Sequence, residues 1–271
     1  MTTTATHPSI DSWRFFRFAA PQPFFQLAGR LAPWFALLAL ALAAIGLWIG
    51  FFVAPTDAQQ GEVYRIIFIH VPAAWMSMFI YLIMAFWSII GLSFNTRLSF
   101  LLGQALAPTG AMFCIVALWT GALWGRPTWG AYWVWDARIT SQLLLLFLYL
   151  GFIALTRAIE TPRRADRTGA MIAIIGSLNI PIIYLSVKWW NTLHQGASVS
   201  LTKAPSMAGT MLLGMLIMAL AAWAYTIAVT LWRVRPMILE RERHAGWARD
   251  YLSRIADETT RFAAPIPGKG D

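Results

Sequence analysis

Apolar residues in this chain do not alternate with polar ones at helical or strand spacing. They run on in six long stretches, at about 33–54, 71–92, 100–124, 140–158, 169–187 and 206–232. A hydrocarbon core about 30 Å thick needs roughly 20 residues of helix to cross it. Lipid offers no water to backbone polar groups, so each stretch must satisfy its own hydrogen bonds as a helix. The pattern therefore predicts an all-α, polytopic membrane protein with six transmembrane helices. Pro72 is predicted in the first turn of the second span, where its missing N–H is not needed. Thr140 and Ser141 are candidate caps for the fourth span and Ser206 for the sixth. Pro181, inside the fifth, should kink it.

Composition removes the main alternatives. Of 271 residues, 58% are hydrophobic and 12% charged, where a soluble domain carries about 25% charge. The mean hydropathy is +0.59. The net charge of +9 would raise nucleic acid as a partner in a soluble protein. Here the Lys and Arg fall in short loops and tails, where they act as topology signals. With the N-terminus inside, Arg14, Arg17, Arg30, Arg97, Arg157, Arg163, Arg164, Arg167 and the tail residues make sixteen cations on that side. Five face the other way: Arg65, Arg126, Arg138, Lys188 and Lys203. The positive-inside rule then places both termini in the cytoplasm. It divides the chain into a cytoplasmic N-terminal segment (1–32), a six-helix domain (33–232) and a basic cytoplasmic tail (233–271). The first 30 residues lack the compact apolar stretch and cleavage site of a signal peptide.

The remaining oddity is 15 Trp. The segment between the third and fourth spans reads WGRPTWGAYWVWDARITS from Trp124 to Ser141, with Trp124, Trp129, Trp133 and Trp135 in twelve residues. An interfacial aromatic belt is one reading. The other is a flat aromatic shelf. Gly125, Pro127 and Gly130 argue against simple continuation of the third helix. A short surface helix would put Trp129, Tyr132, Trp133 and Asp136 on one face.

Two of four histidines, His70 and His194, fall outside with this segment. His70 sits just before Pro72, at the lip of the second helix, whose N-terminus would keep its imidazole neutral. Each could simply hydrogen-bond locally, or the two could jointly ligate a metal or haem. A porphyrin suits the set: indoles can stack on it, two imidazoles can bind its iron, and Arg126, Arg138 or Lys188 can meet its propionates. The single Cys114 and the absence of Cys-x-x-Cys-His leave no thioether-linked haem.

The Trp124–Ser141 segment resembles the WWD signature of haem-handling membrane proteins. The chain as a whole resembles the haem exporter protein C family of the cytochrome c maturation system. That resemblance implies non-covalent haem b on the periplasmic face of a bacterial inner membrane, with His70 and His194 as axial ligands. Trp124, Arg126, Trp129, Gly130, Tyr132, Trp133, Trp135, Asp136 and Arg138 would form the platform around it. It implies a presenting scaffold, not an enzyme, with a membrane-anchored periplasmic haem chaperone as acceptor. ABC-type ATPase and permease subunits and a small single-span subunit would be partners, with the lipid bilayer as surroundings and no nucleic acid. The sequence holds no G-x-x-x-x-G-K-[ST] loop, consistent with an ATPase elsewhere. One departure stands out: the first aromatic of the usual Trp pair is Tyr132. A two-histidine cytochrome passing electrons to quinone, or a haem lyase subunit, are the competing readings.

Overall fold

The computed structural model describes residues 17–190, 192–194 and 204–263. After a 3-10 turn at Arg17–Ala19 come α1 (Pro21–Trp48, extended by a π turn at Ile49–Val53), a 3-10 turn at Glu62–Ile66 and α2 (Ile67–Phe94). Then follow α3 (Arg97–Trp129), α4 (Ala137–Ala158), α5 (Pro162–Gly176), α6 (Asn179–Trp189), α7 (Gly209–Arg241) and α8 (Gly246–Ala263). With α5 and α6 taken as one broken span, six helical segments are long and apolar enough to cross a membrane. No strand occurs among the described residues.

The spans run longer than the apolar stretches that announce them, and their ends differ from expectation for local reasons. Ile66, Ile67, Phe68 and Ile69 carry the apolar pattern back past Pro72, so Pro72 lies inside α2 and not in its first turn. Phe68 is fully buried and fixes that extra turn in place. Neither Thr140 nor Ser141 caps α4. Asp136 does, its carboxylate accepting from the Ile139 N–H at 2.8 Å. Ser141 instead donates to the Ala137 carbonyl one turn back, as hydroxyls inside apolar helices do. Ser206 does not cap α7, which begins after Ala208 without a side-chain cap. The fifth span is broken and not merely kinked. Pro181 has no N–H for the Ser177 carbonyl and its ring crowds that group, and the helix parts at Ser177–Leu178.

Helix α3 is the axis of the bundle. In its most apolar stretch 61% of residues are buried, against 17% for α1. α2 packs along α3, α1 along α7, and α4 closes against α3, α5 and α6. Side chains such as Trp34 and Leu40 on α1 point outward, as lipid-facing residues should. At the core, Gly110 lets the Tyr149 ring lie directly against α3; any Cβ there would overlap the phenol. The Tyr149 hydroxyl in turn donates to the Ser77 carbonyl of α2 at 2.7 Å, so three helices meet at one contact. The beginning of α3 lies at one end of the bundle, here the tail end, and Trp124–Trp129 at the other, the cleft end.

The tail end is tied by charge. Asp166, almost fully buried, accepts two bonds from the Arg241 guanidinium at 2.8 and 2.7 Å and one from Gln104 at 2.8 Å. α3, α5 and α7 are thus fastened together by one carboxylate with its charge partner and both oxygens satisfied.

Candidate ligand cleft

Gly125 and Pro127 do not stop α3. It runs through both to Trp129, and Gly130, at φ 80°, ends it in the left-handed conformation that glycine adopts without a Cβ penalty. Residues 131–135 then run without helix into the Asp136 cap. The short surface helix expected over Trp129–Asp136 is therefore absent, because Gly130 turns the chain where that helix would have to propagate. The aromatic residues still converge, but by a different construction. Trp124 and Trp129 reach in from the last turns of α3, and Trp133 from the irregular link.

These residues line an open-mouthed cleft at that end of the bundle. His70, Ala74 and Met78 of α2 form one wall. Gly121, Ala122 and Thr128 of α3, Tyr132, Arg138 and Gln142, Ile183 of α6 and His194 complete it. His70 is not at an exposed lip. It is the fourth residue of α2 and 9% exposed. Its ring is 5.6 Å from Trp124, edge-on, and 6.4 Å from His194, with 30° between the two imidazole planes. Trp129 stands 5.9 Å from the His194 ring on the other side. The two histidines are 124 positions apart in sequence and share one cleft.

Thr120 sets the state of His70. The Thr120 hydroxyl donates to the Val116 carbonyl at 2.6 Å, which uses its only proton. A hydroxyl so placed can accept an N–H from His70 Nδ1, 3.0 Å away. A neutral ring with the proton on Nδ1 keeps the Nε2 lone pair for a ligand.

Two further groups in the cleft lack partners. Arg138 lines it, and its guanidinium forms no ion pair or hydrogen bond among the described residues. The Trp133 indole Nε1 is buried with no acceptor among the described residues. A cation and an orphaned donor on an otherwise apolar wall suit a flat ligand with acidic oxygens. Of the other sequence candidates, Arg126 does not line the cleft: it donates to the Gly130 carbonyl and lies 5.7 Å over the Tyr132 ring. Gly130 is the α3 cap. Trp135 is 74% exposed and meets only the edge of Trp133 among its ring contacts. Asp136 is the α4 cap, with its second carboxylate oxygen buried and unpartnered. Trp189 and Trp190 stack edge-on against each other outside the cleft lining. Lys188 lies at the end of α6, outside that lining as well.

Sequence reasoning missed Thr120, Gln142 and Gln60. Gln142 reaches Ser77 at 2.9 Å, and Gln60 accepts from the Trp124 indole at 2.7 Å, pinning that ring from the 55–61 loop. Among the described residues no cluster of three or more His, Cys, Asp or Glu could hold a bare metal ion. Two imidazoles alone suit a metal whose other ligands come with it.

Fold and cleft together define a polytopic helical membrane protein with an aromatic cleft, lined by two histidines, at one end of its bundle. The sequence profile of haem exporter protein C matches residues 14–249. The haem exporter protein C of Bradyrhizobium diazoefficiens is 45% identical over 82% of this chain and 84% of its own length. That of Escherichia coli is 43% identical over 86% and 94%, and that of Paracoccus denitrificans 38% over 86% and 97%. The chain belongs to the haem exporter protein C family.

Proposed function

We propose that this chain binds haem b non-covalently in the cleft and presents it, chemically unchanged, to a membrane-anchored haem chaperone during c-type cytochrome biogenesis. It does so at the periplasmic face of a bacterial inner membrane, a reading that the sixteen-to-five distribution of cations supports by favouring cytoplasmic termini. ABC-type ATPase and permease subunits and a small single-span subunit complete the assembly. The observation that carries the reading is the His70–His194 pair, 6.4 Å between ring centres and flanked by Trp124 and Trp129. His70 and His194 hold the iron, the indoles cover the macrocycle, and Arg138 and the Trp133 N–H take propionate oxygens. Tyr132, 60% exposed, carries the cleft lining to the surface, which keeps the cargo within reach of an acceptor. Arg126, Gly130 and Asp136 serve this site by shaping the link that carries Trp133.

The propionate assignment is tested by haem titration of the purified protein. Arg138→Gln should weaken haem binding about tenfold or more, as loss of a charge-assisted hydrogen bond does. Haem dimethyl ester, which has no carboxylate, should bind the wild type and Arg138→Gln equally. A difference that persists with the ester would assign Arg138 a purely structural role.

The tautomer argument gives a second expectation. Thr120→Val removes the hydroxyl that lies 3.0 Å from His70 Nδ1 at nearly constant volume. It should lower haem affinity about tenfold, the low end of the effect of losing a ligand's outer hydrogen-bond partner. Thr120→Ser should retain wild-type affinity. Equal losses in both variants would mean that packing of the methyl group, not the hydroxyl, supports His70.

A further inference from the structure

The link between α1 and α2 is bonded to itself along its length. The Asp57 carboxylate accepts from the Gln59 N–H at 2.9 Å and from the Gln60 N–H at 2.8 Å. Its backbone carbonyl accepts from the Gly61 N–H at 3.0 Å. Gly61, at φ 59°, then turns the chain in a conformation that favours glycine. The Tyr64 hydroxyl donates back to the Pro55 carbonyl at 2.7 Å, and Tyr64 is almost fully buried. Arg65 donates to the carbonyls of Gly50 and Ala54, which ties the link to the end of α1. The backbone at residue 60 is therefore fixed. From it the Gln60 side chain crosses to α3, sixty-four positions on, and accepts the Trp124 indole N–H at 2.7 Å.

Trp124 is the ring that stands edge-on to His70, 5.6 Å between centres. It is only partly buried, and its side chain turns about two torsions. Packing alone leaves such a ring more than one orientation, and the bond to Gln60 selects the one beside His70. The other indole of known partnering differs. Trp133 has its N–H unpaired among the described residues and free for a ligand oxygen. The Trp124 N–H is already spent, so that ring acts through its edge and face. We infer that Gln60 is a positioning residue of the cleft: acting through Trp124, it holds the indole against His70 and so slows the loss of haem. The part in retention rests on the haem reading proposed above, whereas the hold on the ring does not. A covering ring opposes escape only while it stays in place, and one hydrogen bond shifts such a balance by about two- to tenfold.

The test compares Gln60→Met, which keeps the side-chain length without an acceptor, with Gln60→Glu, which keeps an oxygen there. The purified full-length chain is labelled with fluorotryptophan, and the fluorine resonance missing from Trp124→Phe identifies Trp124. Without haem, that resonance should shift in Gln60→Met and stay near its wild-type position in Gln60→Glu. With haem bound, transfer to excess apomyoglobin should be about two- to tenfold faster from Gln60→Met than from the wild type. Gln60→Glu should restore the slower rate. Added to Trp124→Phe, which has no indole N–H to donate, Gln60→Met should change the rate no further. An unmoved resonance or a wild-type transfer rate in Gln60→Met would overturn the inference. So would an equal acceleration in the Trp124→Phe background, since residue 60 would then support the cleft by packing and not through Trp124. A wild type that takes up no haem would overturn the proposed function and the part in retention together, and the fluorine resonance would still decide whether Gln60 holds the ring.

Discussion

His70→Ala is expected to cost this protein its haem. As the proposed ligand its imidazole would bind the iron directly, so its removal should exceed the 10–100-fold loss that follows from disturbing a ligand's hydrogen-bond partner. The alanine side chain leaves the cleft walls standing, because Trp124 is held separately by Gln60 at 2.7 Å and α2 is held by Tyr149 through the Ser77 carbonyl. The protein should therefore insert and fold while retaining haem about 100-fold or more weakly in a titration of the purified chain. His194→Ala should have the same effect, as the second proposed ligand. The two sites differ in rescue. His194 is partly exposed whereas His70 is buried, so free imidazole should restore the spectrum of His194→Gly more readily than that of His70→Gly. Wild-type haem retention in His70→Ala would remove it from the ligand set.

Asp166→Ala should produce the largest loss of stability with the least effect on the cleft. The carboxylate is 5% exposed and is the counter-charge of Arg241, whose side chain is 21% exposed. Removing one partner leaves a largely desolvated guanidinium unpaired, which costs about 3 kcal/mol at the low end for buried pairs. The Gln104 amide loses its acceptor as well. Unfolding in detergent, followed by loss of helix signal, should occur at clearly lower temperature than in the wild type. Gln104 and Trp124 lie twenty residues apart on α3, about 30 Å along its axis, so the haem spectrum of the folded variant should be unchanged. Wild-type unfolding would show that water reaches Arg241 and that the pair contributes little.

The sequence carried the scaffold further than it carried the details of the cleft. Six spans were readable because lipid-facing and core-facing residues are both apolar, and nothing else explains stretches of that length. Their ends were not readable. Proline and glycine signal breaks in soluble proteins, yet a bundle in lipid retains helix wherever neighbours cover the backbone. Pro72, Gly125 and Pro127 all lie within helices for that reason, whereas Pro181 does break its span. The tryptophan cluster was correctly local but was given the wrong geometry. One residue, Gly130, converts a shelf on a surface helix into a wall made of two helix turns and a link. His70 and His194 were singled out for their company in sequence, and the fold brings their rings together. Arg126 and Arg138 were indistinguishable by composition. Only geometry shows the first spent on the Gly130 carbonyl and the second left in the cleft. Thr120 carried no signal at all, since a threonine in an apolar helix ordinarily bonds its own backbone; its partner is fifty positions away.

The central claim is that two histidines from separate segments hold one iron in this cleft. The most direct measurement is the absorption and electron paramagnetic resonance spectrum of the haem-loaded, purified chain, taken beside its His70→Ala and His194→Ala variants. The account predicts six-coordinate, low-spin haem in the wild type and loss of that signature in each single variant. Low-spin haem persisting unchanged in both variants would contradict it.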